Sequence, residues 1–478
     1  MTASQPSSRR WWALGFIALA QFMVIMDTSI IGVALPKMQS DLGFTPDGLS
    51  WVFNAYVVAF GGLLLLGGRL SDLFGARRMF SAGWVVTLGG SVVAALAGTA
   101  GVELTGRVLQ GAGAALIAPS ALTLLMVLFG ERPKELAKAL ALYGAAAPAG
   151  GTAGVFLGGV ITEWLSWPWI FWLYVPISLI AIVATPALMP ATPSRRGAVD
   201  VAGAAAVTAG LALAVFAIVR APEQGWGSAA TLGALAGGIA LLVIFLAIQR
   251  SRRVPLVRLG IFRTPGLGAA NLAQLLLGAA WIPMWYFLNL YLQQVLGYGA
   301  FASGAALLPM TLLIVILMVG VAPRLIARFG PKTLIVAGLW ALAAGLVWLS
   351  FVRPTGTFVV DVLPASLVAA LGQALAFIPS LGMAISSAKP EEGGLASGIV
   401  NTSYQIGSAL GLAAMTAVGL SFGAGEIGNA IALTDGFSTA FLGAAAIAIV
   451  GGFLGLATIR TARKDAPAAA DTPEVSSL

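Results

Sequence analysis

Apolar stretches of about twenty residues or more follow one another from Trp11 to Ile459, with only short polar gaps between them. This leaves the chain few ways to fold. A helix needs about 20 apolar residues to cross the ~30 Å hydrocarbon core. In lipid every backbone N–H and C=O must be satisfied within the protein, which leaves helices or a closed barrel. Runs this long predict an all-α membrane protein. Composition agrees: 59% of residues are hydrophobic and 9% charged, against about 45–50% and 25% in soluble domains. The 60 glycines sit inside the apolar runs, where small residues let helix backbones approach. The chain has no Cys and no His. Thiol and imidazole chemistry are therefore excluded, and proton handling falls to carboxylates.

Fourteen membrane-spanning helices are predicted, near 11–36, 50–70, 79–100, 102–129, 137–162, 168–189, 199–220, 229–249, 266–296, 302–323, 333–352, 359–386, 396–422 and 436–459. The first run, Trp11–Pro36, is too long for a cleaved signal and carries Asp27. On this map all but four of the 26 Lys and Arg residues fall in the even-numbered connections and the two tails; the four are Lys37, Arg107, Arg220 and Arg353. Basic loops stay in the cytoplasm, so both termini are expected there, in a multi-pass protein of the inner, cytoplasmic membrane. The net charge of +8 is spread over short loops, which argues against nucleic acid as a partner and for contact with membrane lipids.

The connection between spans two and three, Gly68-Arg69-Leu70-Ser71-Asp72-Leu73-Phe74-Gly75-Ala76-Arg77, is echoed between spans ten and eleven by Pro323-Arg324-Leu325-Ile326-Ala327-Arg328-Phe329-Gly330-Pro331-Lys332. Arg-Leu, Phe-Gly and a closing base match in register. The echo predicts two six-helix bundles related by a pseudo-two-fold repeat. Residues 1–190 form the first, 191–265 an inserted helix pair, 266–460 the second, and 461–478 a disordered cytoplasmic tail. A parallel duplication of this kind is a transporter architecture with its substrate site between the halves.

At these residues the chain resembles the major facilitator superfamily, and within it the 14-helix drug:proton antiporters. The loop Gly68-x-Leu70-x-Asp72-x-x-Gly75-x-Arg77-Arg78 is similar to the superfamily's signature between helices 2 and 3. Asp27-Thr28-Ser29 leading to Leu35-Pro36 is similar to the subfamily's first-helix motif, and Trp51 and Tyr56 fit the head of helix 2. Arg107-Val108-Leu109-Gln110-Gly111 is similar to its Arg-x-x-Gln-Gly motif, and Gly154-Val155-Phe156-Leu157-Gly158-Gly159 to its antiporter motif. Three positions depart from the pattern: Val155 where Pro is usual, Leu73 where a base is usual, and Pro168 where Arg is common. The resemblance implies no enzyme and no cofactor. It implies a functional monomer driven by the proton gradient that exports hydrophobic or amphipathic, often cationic, organic compounds by alternating access. Export of an endogenous lipid, peptide or secondary metabolite stays open, as does proton-coupled uptake. No nucleotide-binding loop points to ATP.

Within that frame Asp27 is the leading candidate. It lies ~13 Å from the outer end of its span, counting back from Pro36 at ~1.5 Å per residue, and a charge at that depth is functional by default. Arg107 lies at a depth that allows the two to pair, and Asp27 is expected to bind the coupling proton. Asp361 is a possible second proton site. Glu103 and Glu163 read as solvated charges at helix ends. Gly68, Asp72, Gly75, Arg77 and Arg78 are implied to form a cytoplasmic latch, with Asp72 facing the start of span thirteen near Ser397. Gly154, Gly158 and Gly159 read as a packing face that seals the halves. Asn54 and Tyr56, Trp281, Trp285, Asn289 and Gln293 on one stripe, and Asn401 and Gln405 at i, i+4 are candidates for a substrate cavity of aromatics and uncharged amides.

Overall fold

The computed structural model describes residues 7–192, 194, 197–253, 255–264, 266–387 and 393–459. The predicted tail 461–478 therefore lies outside the described residues, as do Lys389, Arg195 and Arg196. The described residues contain helices and no strand. In chain order the helices are α1 (Ser7–Leu42), α2 (Trp51–Phe74), α3 (Ala76–Ala95), α4 (Ala100–Phe129), α5 (Pro133–Trp164), α6 (Pro168–Trp172), α7 (Tyr174–Leu188), α8 (Val201–Gln224) and α9 (Ala229–Ser251). They continue with α10 (Leu267–Leu290), α11 (Ala300–Val315), α12 (Ala322–Leu349), α13 (Leu363–Ser387), α14 (Gly393–Ser421) and α15 (Ala430–Thr458). Among the described residues 12 segments are long and apolar enough to cross a membrane.

Three boundaries differ from the sequence-based map. First, α1 continues through Pro36 to Leu42, because neighbouring helices can take over the hydrogen bonds that a membrane proline frees. Second, the sixth predicted span is broken at Leu173 into α6 and α7. Third, residues 323–332, read as a loop, are helical. A π-helical stretch at Ile316–Val321 joins α11 to α12, making one segment, Ala300–Leu349, of 50 residues. Its one non-helical backbone position is Gly330, at φ 77° and ψ 160°. Gly75, at the turn from α2 to α3, adopts φ 91° and ψ 134°. Both conformations favour glycine, and the two glycines occupy equivalent places in the echoed segments.

The repeat extends into the packing. Gly83 and Gly90 on α3 lie against the carbonyls of Gly113 and Gly106 on α4, where an added Cβ would sit 2.9 Å from each oxygen. Gly338 and Gly345 on α12 meet the carbonyls of Gly372 and Ala365 on α13 in the same way, at 2.8 and 2.9 Å. Lipid gives apolar helices no hydrophobic reason to associate, so such close backbone contact is what holds them. Gly67 on α2 is tighter still, since a Cβ there would fall onto the carbonyl of Ala115 on α4. Gly67→Ala is therefore expected to cost about 1–3 kcal/mol of stability through overpacking. Gly89→Ala, whose Cβ meets nothing within 4 Å, should be neutral. Thermal denaturation of the two purified variants in lipid checks the difference.

Helices α1 to α7 pack among themselves, and α10 to α15 do likewise. The two groups meet where α5 touches α11, α2 touches α14 and α1 touches α10. Helices α8 and α9 pack on each other, and α8 reaches both α2 and α14. Asp200 caps α8 by accepting the Gly203 N–H at 2.9 Å, and it accepts Gln249 Nε2 at 2.7 Å, which ties the end of α9 to the start of α8.

Candidate functional site

Asp27 and Arg107 meet inside the first group of helices. Asp27 Oδ1 lies 2.6 Å from Arg107 Nη1, with the side chains 4% and 1% exposed. Helix geometry supplies much of the setting. Gln110 follows Arg107 at i+3, on the same face of α4, and its Oε1 accepts from Nη1 at 2.8 Å. Gln110 Nε2 in turn donates to Ser91 Oγ on α3 at 2.9 Å. Arg107 Nε donates to the Val52 carbonyl at 3.0 Å, and the guanidinium stands 4.8 Å from the centre of the Tyr56 ring. On the α1 side, glycines of α5 bring the backbone close: a Cβ on Gly154 would sit 2.9 Å from the Met26 carbonyl, and one on Gly158 would sit 2.7 Å from that of Ile30. Asp27 therefore sits on a length of α1 held by the antiporter-like glycines.

A cavity of about 20 Å³ adjoins the pair, lined by Asp27, Tyr56, Trp84, Thr87, Gln110 and Tyr174 among others. That is room for about one water, and far below the ~300 Å³ of a small-molecule pocket. Trp84 Nε1 and Thr87 Oγ1 are buried there without a protein partner. Hydration suits this space; an organic substrate does not fit it.

Three placements depart from the sequence reading. Tyr56 belongs to this ion-pair site: its hydroxyl donates to the Val24 carbonyl at 3.3 Å. Glu103 is no solvated boundary charge; it is 0% exposed and both carboxyl oxygens lack a hydrogen-bond partner. Its place near a helix end disguised it, although the Glu103-x-x-x-Arg107 spacing puts both residues on one face of α4. Asp361 is clamped. It accepts Arg353 Nε at 2.7 Å, Arg353 Nη2 at 3.0 Å and the Thr357 N–H at 2.7 Å. That hydrogen bonding pushes the exposed Arg353 up from its ordinary value and fastens the loop ahead of α13. Glu163 is exposed, as expected, but accepts the Phe301 N–H at 3.4 Å across to α11.

In the loop motif, Arg77 is tied to its own bundle. Its N–H donates to Thr192 Oγ1 at 3.3 Å, and its Nη1 to the Met189 carbonyl at the end of α7 at 3.4 Å. Gly75 faces Thr192, and Gly68 lies near Pro119. Asp72 and Arg78 are exposed and make no ion pair among the described residues, so no bond joins Asp72 to Ser397.

The predicted cavity residues separate into two sets. Trp285 and Asn289 on α10 face Gly32 of α1, where a Cβ would lie 3.2 Å from Trp285 Nε1 and 3.1 Å from Asn289 Nδ2. Trp281 neighbours Trp285, with ring centres 6.3 Å apart. Gln293 Nε2 donates to the Val33 carbonyl at 2.9 Å. Asn54, Trp285 and Asn289 all keep buried polar atoms without a partner, and Trp285 and Asn289 do so where α10 faces α1. Asn401 instead bonds back to the Ser397 carbonyl of its own helix, and Gln405 packs against Gly61 of α2. Farther along the α10 stripe, Asn271 and Gln274 are used up in bonds to α14 and α13. Gly159 completes the seam: a Cβ there would lie 2.9 Å from Phe301 Cα on α11.

The Gln293–Val33 and Gly159–Phe301 contacts lie toward one rim, the end at which α1 and α5 finish and α4 and α11 begin. The family model of the Major Facilitator Superfamily matches residues 17–412. A cephamycin export protein, CmcT, of Amycolatopsis lactamdurans is 39% identical, over 91% of this chain and 89% of its own. The puromycin resistance protein pur8 of Streptomyces alboniger is 37% identical, over 86% of this chain and 82% of its own. Among solved structures, a nucleoside transporter, NupG, superposes with a TM-score of 0.66 at 14% identity, covering 94% of this chain and all of that one.

Proposed function

Because the chain belongs to the major facilitator superfamily, we propose that it is a proton-driven exporter of antibiotic-like organic compounds, working by alternating access. The observation that carries this reading is the Asp27–Arg107 pair, buried at 2.6 Å inside one group of helices. Removing one member of a buried ion pair costs about 3–5 kcal/mol, so a proton arriving on Asp27 is a large local perturbation. Asp27 stands on α1, α1 is seated on α5, and α5 is packed on α11 of the other group. A change at Asp27 thus has a short packed route to the seam.

Relatives whose names carry cephamycin export and puromycin resistance support export of bulky organic compounds. Asn54, Trp285 and Asn289 are the groups we assign to contact them. We assign fourteen crossings, counting the segment Ala300–Leu349 as two that turn at Gly330 and α14 as one more. The division into two six-helix bundles, residues 1–190 and 266–460, with the pair in 191–265 inserted between them, follows from that count. Cytoplasmic termini follow from the charge bias, which makes the closed rim the outer one and leaves Asp72 free to latch when the inner side closes. We infer a functional monomer that uses protons and no bound cofactor.

The test is substrate-induced proton movement in proteoliposomes holding an imposed pH gradient. Puromycin, a cephamycin and ethidium are the probes. At least one of them should dissipate the gradient with the protein and leave it intact in empty vesicles. Proton-independent transport of the same probes would overturn the coupling.

A further inference from the structure

Arg107 stands between two acids, Asp27 on α1 and Glu103 on its own face of α4, and the pair described above uses one of them. Asp27 approaches Nη1 from α1. Glu103 stands one turn from Arg107 on α4, where residues four apart have Cβ atoms about 5–6 Å from each other. Arg107 Nη2 is buried without a hydrogen-bond partner, and so are both oxygens of Glu103. A bare carboxylate out of water costs several kcal/mol. With Asp27 holding the cation, burial without a partner favours the neutral acid at Glu103. The charged groups facing it are Arg107 and Asp27, so the cluster has one guanidinium and two carboxyl groups.

We propose that Glu103 and Asp27 share one proton across Arg107, and that Glu103 is the station through which that proton reaches Asp27. The O–H bond of Glu103 breaks and an O–H bond forms on Asp27, while Arg107 stays cationic throughout. The cluster keeps one negative and one positive charge, and only the partner of Arg107 changes. Nη2 is the free donor that then receives the Glu103 carboxylate. Glu103 is about 5 Å into α4 from the helix start at Ala100, at ~1.5 Å per residue, so it lies nearer the closed rim than Arg107. Parting of that rim lets it take up a fresh proton from outside. The route lies within the first group of helices, whereas Trp285 and Asn289 stand on α10 of the other group.

This inference rests on the antiport reading for its role, but its charge-sharing is testable without any substrate. Infrared difference spectra of the full chain in lipid at neutral pH should show the C=O stretch of a buried neutral carboxylic acid that Glu103→Gln removes. The same band should also disappear in Asp27→Asn, because Glu103 must then ionise to serve Arg107. A merely structural Glu103 would keep its proton in that variant. A wild-type spectrum without the band, or a band that survives in Asp27→Asn, overturns the proposal. In proteoliposomes, Glu103→Gln should lower gradient-driven ethidium movement by roughly 100-fold, the size of effect expected for a positioned proton carrier. Wild-type rates in that variant would also overturn it. If wild-type protein moves no protons with any probe, the antiport reading falls, while the infrared result still decides whether the two acids share a proton.

Discussion

Asp27→Asn is expected to abolish gradient-driven export, by roughly 100-fold or more, in protein that still folds and inserts. Asparagine keeps an oxygen facing Arg107 Nη1, which lies 2.6 Å from Asp27 Oδ1, so the packing of α1 on α4 is preserved. What it removes is the capacity to gain and lose a proton. A buried guanidinium without a counter-ion would cost about 3–5 kcal/mol, and Glu103 on the same helix face is placed to offset that loss. The double variant Asp27→Asn with Glu103→Gln has no such reserve and should accumulate poorly. The checks are vesicle transport for the single variant, and yield and thermal denaturation for both. Full coupled export by Asp27→Asn would remove Asp27 from the mechanism.

Gly304→Val is expected to block transport for a different reason. A Cβ at Gly304 on α11 would fall onto the Val155 carbonyl of α5, so the rim could no longer close. Overpacking of this kind costs about 1–3 kcal/mol, enough to shift a two-state equilibrium by roughly 5–150-fold. The residue lies at the seam, so each group of helices should keep its fold. The chain has no cysteine of its own. Spin labels on cysteines introduced at the exposed positions Leu165 and Phe351 would report the rim alone. A longer distance in Gly304→Val than in the parent is the expected result; an unchanged distance would mean the contact does not govern closure.

How much of this was legible in the sequence depended on how local each signal was. The long apolar helices were readable because a lipid core demands one length and one polarity. The Asp27–Arg107 pair was readable because charges inside apolar runs are rare. Glu103 was not, because hydropathy averages along one helix and cannot see what the neighbouring helices cover. The place of Tyr56 beside the ion pair was hidden for a related reason: its position on α2 is local, but its Val24 carbonyl partner on α1 is a tertiary fact. The spacing that aligns the polar residues of α10 is a local signal and legible. The sequence held no sign that Asn271 and Gln274 were committed to other helices while Trp285 and Asn289 kept free atoms. The length of α1 was underestimated because Pro36 was read by the rules of soluble helices.

The placement of α8 has a mechanical consequence. It lies on both α2 and α14, and so bridges one of the two long joints between the groups. Among the described residues, neither α8 nor α9 packs along the other joint, where α5 runs along α11. The molecule is thus bound like a book, with α8 along the spine and the α5–α11 joint as the fore-edge. A bound book opens widest at its fore-edge, so labels across α5 and α11 should travel farther during the cycle than labels across α2 and α14.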